Sequence, residues 1–296
     1  MLTYQITDID HCRSAESFLR NLLPAAPSSY IRKLISAGHL KISGGTVAPD
    51  TILATGNTAT LKESDRTRQF LAAARPQLDI LWEDDYCVIV NKSAGLPVHR
   101  TAEAGEANLV ELAEHFMAGR GTPVKLRPVN RLDRGTSGAT ILAKSSSSAG
   151  MLGRYVKEDG LGKLYLAVAD GNLPDAGAID TPLDGKDAHT AFRTLARDTA
   201  ASFVLVTPTS GRMHQIRKHL SASGHPVRGD RRYRGTLLTG YPGHLLHAFR
   251  VSLIHPATGR KLIVHAPLPP AFILHLPTMA PLSWHDLLRD IACSPD

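Results

Sequence analysis

Residues 127–145 have the sequence RPVNRLDRGTSGATILAKS, in which one carboxylate, Asp133, stands between two arginines, Arg131 and Arg134. A Thr-Ser-Gly corner follows the acid, and the apolar residues 138–143 after it have the length and composition of a short buried strand. Functional groups are commonly held on polar turns at the mouths of rigid elements. The stretch therefore predicts a buried strand with an acid at its entrance.

The pattern around Asp133 allows two interpretations. Two guanidinium groups favour the ionised form of a carboxyl group if all three converge in space, whereas on an exposed loop they scarcely interact. By spacing alone, a surface ion pair is the commoner arrangement, because structural pairs outnumber catalytic carboxylates. The predicted strand favours a functional acid, but the residues by themselves leave both interpretations open.

The whole chain sets limits on the class of protein. Its 296 residues, 43% of them apolar, are enough for a sizeable core and predict about two domains. No apolar stretch of about twenty residues occurs, and the N-terminus lacks the pattern of a signal peptide. The isolated Cys12, Cys87 and Cys293 indicate neither disulfides nor a thiolate zinc site. We therefore expect a cytoplasmic protein without a membrane partner.

The charge of the chain favours a polyanionic partner. There are 34 Lys and Arg residues against 27 Asp and Glu residues, which gives a formal net charge of +7. Cations are grouped in HTAFRTLAR, GRMHQIRKHL and VRGDRRYRG, which begin at residues 189, 211 and 227. Any one of these groups fits an ordinary solvated face, but three so close together favour nucleic acid.

The first sixty residues predict a small α/β module. Residues 12–24 carry apolar side chains at helical spacing and stop at a proline. In SSYIRKLISAG, residues 28–38, one of the two serines is expected to be the N-cap and Gly38 the stop. Residues 39–62 alternate β-prone pieces with Ser-Gly-Gly, Pro-Asp and Gly-Asn turns, which is typical of a small sheet of hairpins.

This module, over residues 12–63, resembles the ribosomal S4-like RNA-binding domain. The frame IRKLISAGHLKISGGTV fits that family, although Asn57 stands where the family usually has Asp. The resemblance implies a role in RNA binding for three cations, Arg32, Lys33 and Lys41. A generic α/β adaptor of similar size is the alternative.

A second domain is predicted from residue 78 to residue 290, after a polar, arginine-bearing linker at residues 64–77. Its first half is expected to contain a strand, a loop and two helices, at residues 86–90, 91–99, 108–119 and 149–160. The serines of residues 145–148 suit the N-cap of the last of these helices.

Over about residues 78–270 the chain resembles the RluA family of RNA pseudouridine synthases. Four motifs occur in the family's order and spacing: NKSAGLPVH, NRLDRGTSG, GKLYLAV and GRMHQIRKHLSASGHPVRGDRRY, which begin at residues 91, 130, 162 and 211. An S4-like domain in front is common among the longer members. The resemblance implies an α+β fold, with a mixed, mostly antiparallel central sheet and flanking helices behind a small N-terminal α/β domain.

The resemblance also implies a reaction. A uridine within structured RNA, ribosomal or transfer, becomes pseudouridine: its N-glycosidic bond is broken, the uracil turns, and it is rejoined through carbon. The reaction requires no metal or other cofactor. It needs an ionised carboxylate near the sugar, a planar group that holds the detached uracil, and a cation that places the carboxylate, which are tasks of orientation and electrostatics.

Three residues match the catalytic positions of the family. Asp133 matches the essential aspartate, Tyr165 the tyrosine that packs against the target base, and Arg217 the basic residue that pairs with the aspartate. Whether Asp133 attacks the sugar or removes a proton from it stays open. Without the resemblance, Tyr165 would be an ordinary strand tyrosine and Arg217 an ordinary helix arginine.

RNA contacts are expected close to these residues. Arg131 matches the arginine that the family uses where the target nucleotide leaves the stack, since a folded uridine must be extruded before a side chain can reach its glycosidic bond. Further candidates for pocket or phosphate contacts are Arg134, Arg212, His214 and Gln215.

The chain departs from the family at three motif positions. Asn130 stands where the family usually has His, Ser93 where it has Pro, and Met213 where it has Thr. We expect Asn130 to affect turn geometry or RNA contacts and to leave the chemistry intact, because its amide can still form hydrogen bonds. None of the three changes replaces a catalytic candidate.

Other functional classes have weaker support. The chain has 14 histidines, but the close pairs His214 with His219 and His244 with His247 match no zinc motif, so no metal site is expected. No glycine-rich nucleotide loop occurs either. A catalytically silent RNA-binding or ribosome-assembly factor of the same fold is the main alternative, and a metal-dependent nucleic-acid hydrolase is more distant.

Overall fold

The structure, a computed structural model, describes residues 1–7, 10–23, 26–72, 78–100, 107–158, 161–277 and 283–293. The elements of the N-terminal part are β1 (Leu2–Gln5), α1 (Ala15–Leu22), α2 (Ser28–Ser36), β2 (Leu40–Ile42), β3 (Gly45–Thr46), β4 (Thr58–Leu61) and α3 (Asp65–Ala72). Those of the remainder are β5 (Ile80–Glu83), β6 (Cys87–Lys92), α4 (Leu109–Gly119), β7 (Arg127–Pro128), β8 (Ser137–Ala143), α5 (Ser146–Glu158), β9 (Gly162–Asp170), β10 (Ala176–Ile179), β11 (Thr190–Arg197), β12 (Ala201–Pro208), α6 (Gln215–Ala222), β13 (Leu246–Ile254), β14 (Lys261–His265), α7 (Pro270–Ile273) and α8 (Trp284–Cys293). Within these ranges, every helix is too short or too polar to cross a bilayer.

In the N-terminal unit, two helices pack on a four-stranded antiparallel sheet with the order β1-β4-β2-β3. Helix α1 begins where Ser14 Oγ accepts a hydrogen bond from the backbone N–H of Ser17. Its apolar face meets that of α2 in a core that includes Phe18 and Ile31. Of the hairpins expected from the turn pattern, the one at Ser-Gly-Gly forms between β2 and β3, whereas residues 47–57 contain no strand. Strand β4 pairs with β2 and with β1, which precedes residue 12.

The serine N-cap predicted for α2 is wrong. Pro27 occupies the N-cap position, and no side chain caps the helix. The hydroxyl of Ser28 instead accepts a hydrogen bond from Arg20 Nη1 at 3.0 Å, so a tertiary contact replaces the local one. Gly38 does follow the helix end as expected, with a φ of 65° that suits a residue without a side chain.

The second sheet has the order β10-β11-β12-β9-β13-β8-β6-β5, with β14 paired to β13 and β7 paired to β8. All of these pairs are antiparallel except β13 with β8, which is parallel. The expected α+β fold with a mixed, mostly antiparallel sheet is thereby confirmed. All seven residues of β8 are buried, as the apolar run after Asp133 predicts.

Helices cover both faces of this sheet. Successive side chains of a strand point to opposite faces. Val88 and Val90 of β6 accordingly pack with Leu109 of α4, whereas Ile89 between them packs with Leu152 of α5. Helix α6 packs on strands β9 and β12 elsewhere in the sheet, and its side chains can reach the entrance of β8 across the intervening β13.

The N-terminal unit lies directly against β5, a contact that the sequence pattern does not indicate. Arg13 donates two hydrogen bonds of 2.8 Å to the carboxylate of Asp79, which also accepts from Asn21 at 3.2 Å. Of the predicted linker, Asp65–Ala72 form helix α3, and residues 73–77 lie outside the described residues. The division into two domains at this linker stays a prediction.

A second contact between the two units is centred on Glu83 at the end of β5, and we call it the Glu83 hub. The carboxylate accepts hydrogen bonds from Arg20 at 3.2 Å, Arg120 at 2.9 Å and Lys144 at 2.8 Å. The backbone carbonyl of Glu83 accepts from Arg20 at 2.9 Å and from Arg32 at 2.7 Å. Only 4% of the Glu83 side chain is exposed, so the hub is a buried ion network.

Candidate active site

Asp133 lies in the turn that leads from β7 into β8. The side chain of Asn130 holds this turn against the strand, because its Nδ2 donates to the carbonyl of Ala139 at 3.2 Å and its Oδ1 accepts from the N–H of Ile141 at 2.7 Å. The backbone N–H of Thr136 donates to the carbonyl of Asp133 at 3.0 Å. These bonds fix the acid while 28% of its side chain stays exposed.

The buried side chain of Lys92 forms hydrogen bonds to the same turn and to the loop that follows β6. Lys92 Nζ donates to the backbone carbonyls of Ser93 at 3.0 Å, Leu96 at 2.7 Å and Arg134 at 3.2 Å. Burial lowers the pKa of Lys92 to about 7, and the negative charge of Asp133 acts in the opposite direction. Lys92 therefore ties the loop of one motif to the turn of another.

Strand β13 approaches the entrance of β8 so closely that only glycine fits there. His247 pairs with Ser137 and Ala248 with Gly138 in the parallel register. Gly138 has a φ of 113°, and a Cβ atom on it would lie 2.4 Å from the carbonyl oxygen of Ala248. The glycine of the Thr-Ser-Gly corner thus allows β13 to close on the turn that carries Asp133.

Arg217, on α6, pairs with two carboxylates at once. Its Nη1 donates to Asp133 Oδ2 at 2.7 Å, while Nε and Nη2 donate to the two oxygens of Asp230 at 2.5 and 2.9 Å. Its guanidinium also lies 5.0 Å from the ring centroid of Tyr233. Burial acts to lower the pKa of Arg217, but the hydrogen bonds and charges of both aspartates outweigh it and raise that pKa. Arg217 is therefore a fixed cation.

His214 stands beside the same pair in a left-handed backbone conformation, with a φ of 55°. Its Nδ1 lies 3.0 Å from the hydroxyl of Tyr233, and its Nε2 lies 3.7 Å from Asp133 Oδ1. Burial lowers the pKa of His214, against the opposing charge of Asp133. The neutral ring therefore borders the carboxylate on the side away from Arg217 Nη1.

Tyr165 lies in β9, between Val206 of β12 and Ala248 of β13 in the ladder. Its side chain is 9% exposed. Burial, and then the nearby charge of Asp133, raise the pKa of Tyr165 above its usual value, so the hydroxyl stays protonated at neutral pH. It is thus a planar ring with a neutral donor near the acid.

These side chains meet in two adjoining cavities. The inner pocket, of about 100 Å³, is lined among others by Asp133, Tyr165, Arg217 and Lys163. The outer cleft, of about 760 Å³, shares Asp133, Arg217, Arg131 and His214 with it and is open to solvent. A small pocket that adjoins a wide cationic cleft can hold one detached base while a chain of phosphates crosses the cleft.

The other RNA-binding candidates are placed differently. Arg131 and Arg134 are exposed and line the outer cleft, and Arg212 is exposed beside the inner pocket. Gln215 is buried, and it donates to the carbonyl of His189 at 2.9 Å and accepts from the N–H of Arg212 at 3.1 Å, so it shapes the loop before α6.

The three N-terminal candidates line neither cavity. Lys33 is exposed on α2, and Lys41 is half-buried on β2. The guanidinium of Arg32 is engaged in the Glu83 hub and lies 5.4 Å from the ring centroid of Trp82. The structure therefore leaves two of these cations facing solvent and ties the third to the interface between the units.

Asp230 and Lys92 are the site residues that sequence reasoning missed. Asp230 is 1% exposed and orients Arg217, and Lys92 is 1% exposed and holds the Asp133 turn. Both lie inside quoted motifs, GHPVRGDRRY and NKSAGLPVH. The available signals were a single carboxylate among arginines in the first motif and a single lysine among mostly small or apolar residues in the second.

The histidine pairs considered for metal binding are engaged within the protein. His244 Nε2 lies 2.8 Å from Thr136 Oγ1, and His219 lies 2.9 Å from both Thr190 Oγ1 and the carbonyl of Thr181. Burial, and then the charge of Arg217, lower the pKa of His244 to about 4. Across the described ranges, no cluster of three or more His, Cys, Asp or Glu side chains is arranged to hold a metal ion.

Known proteins resemble this chain in sequence. The family model described as RNA pseudouridylate synthase matches residues 85–222. The ribosomal large subunit pseudouridine synthase C of Buchnera aphidicola is 31% identical, over 89% of this chain and 93% of that protein. An uncharacterized RNA pseudouridine synthase of Synechocystis is 32% identical, over 87% of this chain and 86% of that protein. The ribosomal large subunit pseudouridine synthase C of Escherichia coli K12 is 29% identical, over 86% of this chain and 88% of that protein.

Solved structures resemble it as well. Human RNA pseudouridylate synthase domain containing 1 superposes with a TM-score of 0.60 at 25% identity, over 75% of this chain and 97% of that chain. Human RNA pseudouridylate synthase domain containing 4 superposes with a TM-score of 0.56 at 26% identity, over 67% and 94%.

Proposed function

Because the chain belongs to the RluA family of RNA pseudouridine synthases, we propose that Asp133 is the carboxylate that carries out the isomerisation of uridine in a structured RNA. One observation carries the proposal: Asp133 lies 2.7 Å from the fixed guanidinium of Arg217 and borders the same inner pocket as Tyr165. The surface ion pair that the sequence left open does not account for this arrangement, because Arg217 is 6% exposed.

The geometry gives each of the three residues a separate task. The bond from Arg217 places the carboxylate of Asp133 and supplies the opposing charge, and its second carboxylate, Asp230, prevents the guanidinium from turning away. The ring of Tyr165 offers a flat face to the detached uracil, and its neutral hydroxyl can donate or relay a proton. Attack on the sugar and proton removal from it both remain compatible with this position of the carboxylate.

The outer cleft is the proposed path of the RNA. Arg131 stands at the junction of the two cavities, where it can fill the space that the uridine leaves, and Arg134 and Arg212 are exposed for phosphates on either side. His214 borders the acid, and Gln215 acts through the loop. In the S4-like unit, Lys33 and Lys41 are further candidates for phosphate contacts, and Arg32 contributes to docking instead.

The RNA of the large ribosomal subunit is the first candidate substrate. Two of the relatives described above are named for that RNA, and the chain spans most of their length. Transfer RNA is the second candidate. Action on ribosomal RNA accords with the cytoplasmic location expected from the sequence.

The purified protein is expected to form pseudouridine in large-subunit ribosomal RNA transcripts, and to do so at an unchanged rate in excess EDTA without added cofactor. The measurement is a pseudouridine map of the transcript at nucleotide resolution, together with a map of cellular RNA from cells with and without the gene. Tight RNA binding without any pseudouridine in either map would favour the catalytically silent factor. Loss of activity that zinc or magnesium restores, with RNA folding controlled, would favour a metal-dependent enzyme.

Asp230→Asn is expected to lower the saturated single-turnover rate about 100-fold while RNA affinity changes little, because a displacement of the reacting groups by about 1 Å is worth that much. Asp230 touches Arg217, so it is a positioning residue. The measurement is the saturated single-turnover rate and the Kd for the same RNA, each compared between Asp230→Asn and wild type. A large loss of RNA affinity with an unchanged saturated rate would assign Asp230 to RNA binding instead.

A further inference from the structure

Two large apolar side chains border the outer cleft, which is otherwise rich in charge. Met213 is 60% exposed and Leu237 is 63% exposed, and both line the cleft together with Asp133, Arg231 and Arg232. Single exposed apolar side chains are normal on protein surfaces. Two of them in one cationic cleft, beside the catalytic carboxylate, indicate a ligand that combines apolar faces with negative charge.

Met213 stands on a rigid segment. The buried side chain of Gln215 accepts a hydrogen bond from the N–H of Arg212 at 3.1 Å, immediately before Met213. The ring of His214, immediately after it, is held at 3.0 Å by the hydroxyl of Tyr233. Both neighbours of Met213 are thus anchored, and its exposed side chain is presented from a fixed backbone.

Leu237 is presented in the same way from another segment of the lining. The N–H of Thr236 donates to Asp170 Oδ2 at 2.7 Å, and the carbonyl of Thr236 accepts from the N–H of Gly229 at 2.7 Å. Leu238, on the other side, packs against the apolar core. The loop is therefore fastened before and after Leu237, whose side chain remains in the cleft.

We propose that Met213 and Leu237 form an apolar clamp that packs against the bases next to the target uridine while that uridine occupies the inner pocket. Extruding a nucleotide from a folded RNA exposes the faces of its neighbours, and apolar side chains cover such faces in proteins that open base steps. The cations Arg231 and Arg232 in the same cleft suit the phosphates of those nucleotides. The clamp rests on the proposed function, and it deepens that function by naming residues that select the flanking sequence.

The clamp is tested by a cycle of changes in protein and RNA. The protein variants are Met213→Thr, Leu237→Ser and the double variant, and the RNA is a transcript fragment around the mapped uridine, either intact or with an abasic nucleotide on the 5′ or 3′ side of it. The single-turnover rate at saturation and the Kd are measured for each pair. With intact RNA the double variant is expected to lose about tenfold in rate or affinity. With the abasic RNA, the wild type is expected to show a similar loss, about tenfold in rate or affinity. The double variant should show no additional loss with the abasic RNA, because the two partners of one contact are coupled.

Leu274→Ser is the matched control, because Leu274 is 83% exposed and lies outside both cavities. It should behave as wild type with every RNA. Independent, additive losses in the cycle would contradict the clamp, since uncoupled changes do not share a contact. Unchanged rates and affinities in the double variant would also overturn it, and an altered assembly state in that variant would then assign the apolar pair to a protein contact. If the wild type forms no pseudouridine in the full transcript from which the fragment is taken, the proposed function itself fails.

Discussion

Asp133→Asn is expected to reduce the rate of pseudouridine formation by about 10⁴-fold or more while the protein stays folded and binds RNA. An amide has nearly the shape of the carboxylate but lacks its charge, so it can neither attack the sugar nor accept a proton from it. It also leaves Arg217 with one anionic partner, Asp230, in place of two. The measurement is the single-turnover rate at saturating RNA, with the Kd determined for the same RNA.

The matched control for this experiment is Asp85→Asn, which removes a carboxylate that is exposed and lies outside the inner pocket and the outer cleft. It should retain full activity. Turnover of Asp133→Asn within tenfold of wild type, in protein shown to be free of wild-type enzyme and of deamidation, would contradict the proposed role of the carboxylate.

Glu83→Gln is expected to destabilise the protein by about 3–5 kcal/mol, the usual effect of removing one partner from a buried ion pair. The variant would leave Arg20, Arg120 and Lys144 around a neutral amide in the Glu83 hub. The same network joins the N-terminal unit to β5, so the loss should appear as reduced cooperativity of unfolding as well as reduced stability. Urea unfolding followed by circular dichroism measures both.

The pH dependence of stability provides a second test of the hub. Burial acts to raise the pKa of Glu83, but Arg120, Lys144 and Arg20 outweigh it and lower that pKa from 4.5 to about 2. Because the folded-state pKa lies below the unfolded one, the stabilisation is complete above pH 4.5 and is lost as the pH falls from 4.5 toward 2. The difference is worth about 3 kcal/mol. Glu83→Gln should lack this share of the acid sensitivity.

Glu63→Gln is the control for the hub, because Glu63 pairs on the surface with Arg68, whose side chain is 63% exposed. Its unfolding midpoint should stay close to that of wild type, since exposed pairs contribute little. Equal effects of the two substitutions would show that the Glu83 network does not hold the units together.

The sequence predicts those parts of the fold and site that depend on neighbours along the chain. The apolar run after Asp133 predicts β8, because a short apolar segment bounded by turn residues is typical of a buried strand. The convergence of Asp133, Tyr165 and Arg217 was implied by the family resemblance, and the structure brings all three to one pocket. No spacing rule alone would have joined them, because Arg217 is 84 positions from Asp133.

The features that sequence reasoning missed depend on contacts between distant residues. Arg20 and Glu83 are 63 positions apart. The sequence near either residue therefore does not predict the Glu83 hub or the contact of the N-terminal unit with β5. Arg20 also donates a hydrogen bond to the hydroxyl of Ser28. The predicted serine N-cap of α2 is therefore replaced by a contact with a residue of another helix. Asp230 was passed over for a related reason, because its role appears only when Arg217 is seen beside it.

The position of β13 determines when the active site can exist. Strand β13 lies between β8 and β9 in the sheet, although it follows both in the chain. Strand β8, which follows Asp133, and strand β9, which carries Tyr165, are therefore joined in the sheet only through β13. Contacts of such long sequence separation form late, because the loop between them must close first. During synthesis, a chain that ends before Leu246 lacks β13. We expect such a chain to form its N-terminal unit and several hairpins, but not to hold Asp133 and Tyr165 beside one pocket. With Asp133 and Tyr165 in their proposed roles, we expect catalytic competence only after more than four-fifths of the chain has been made.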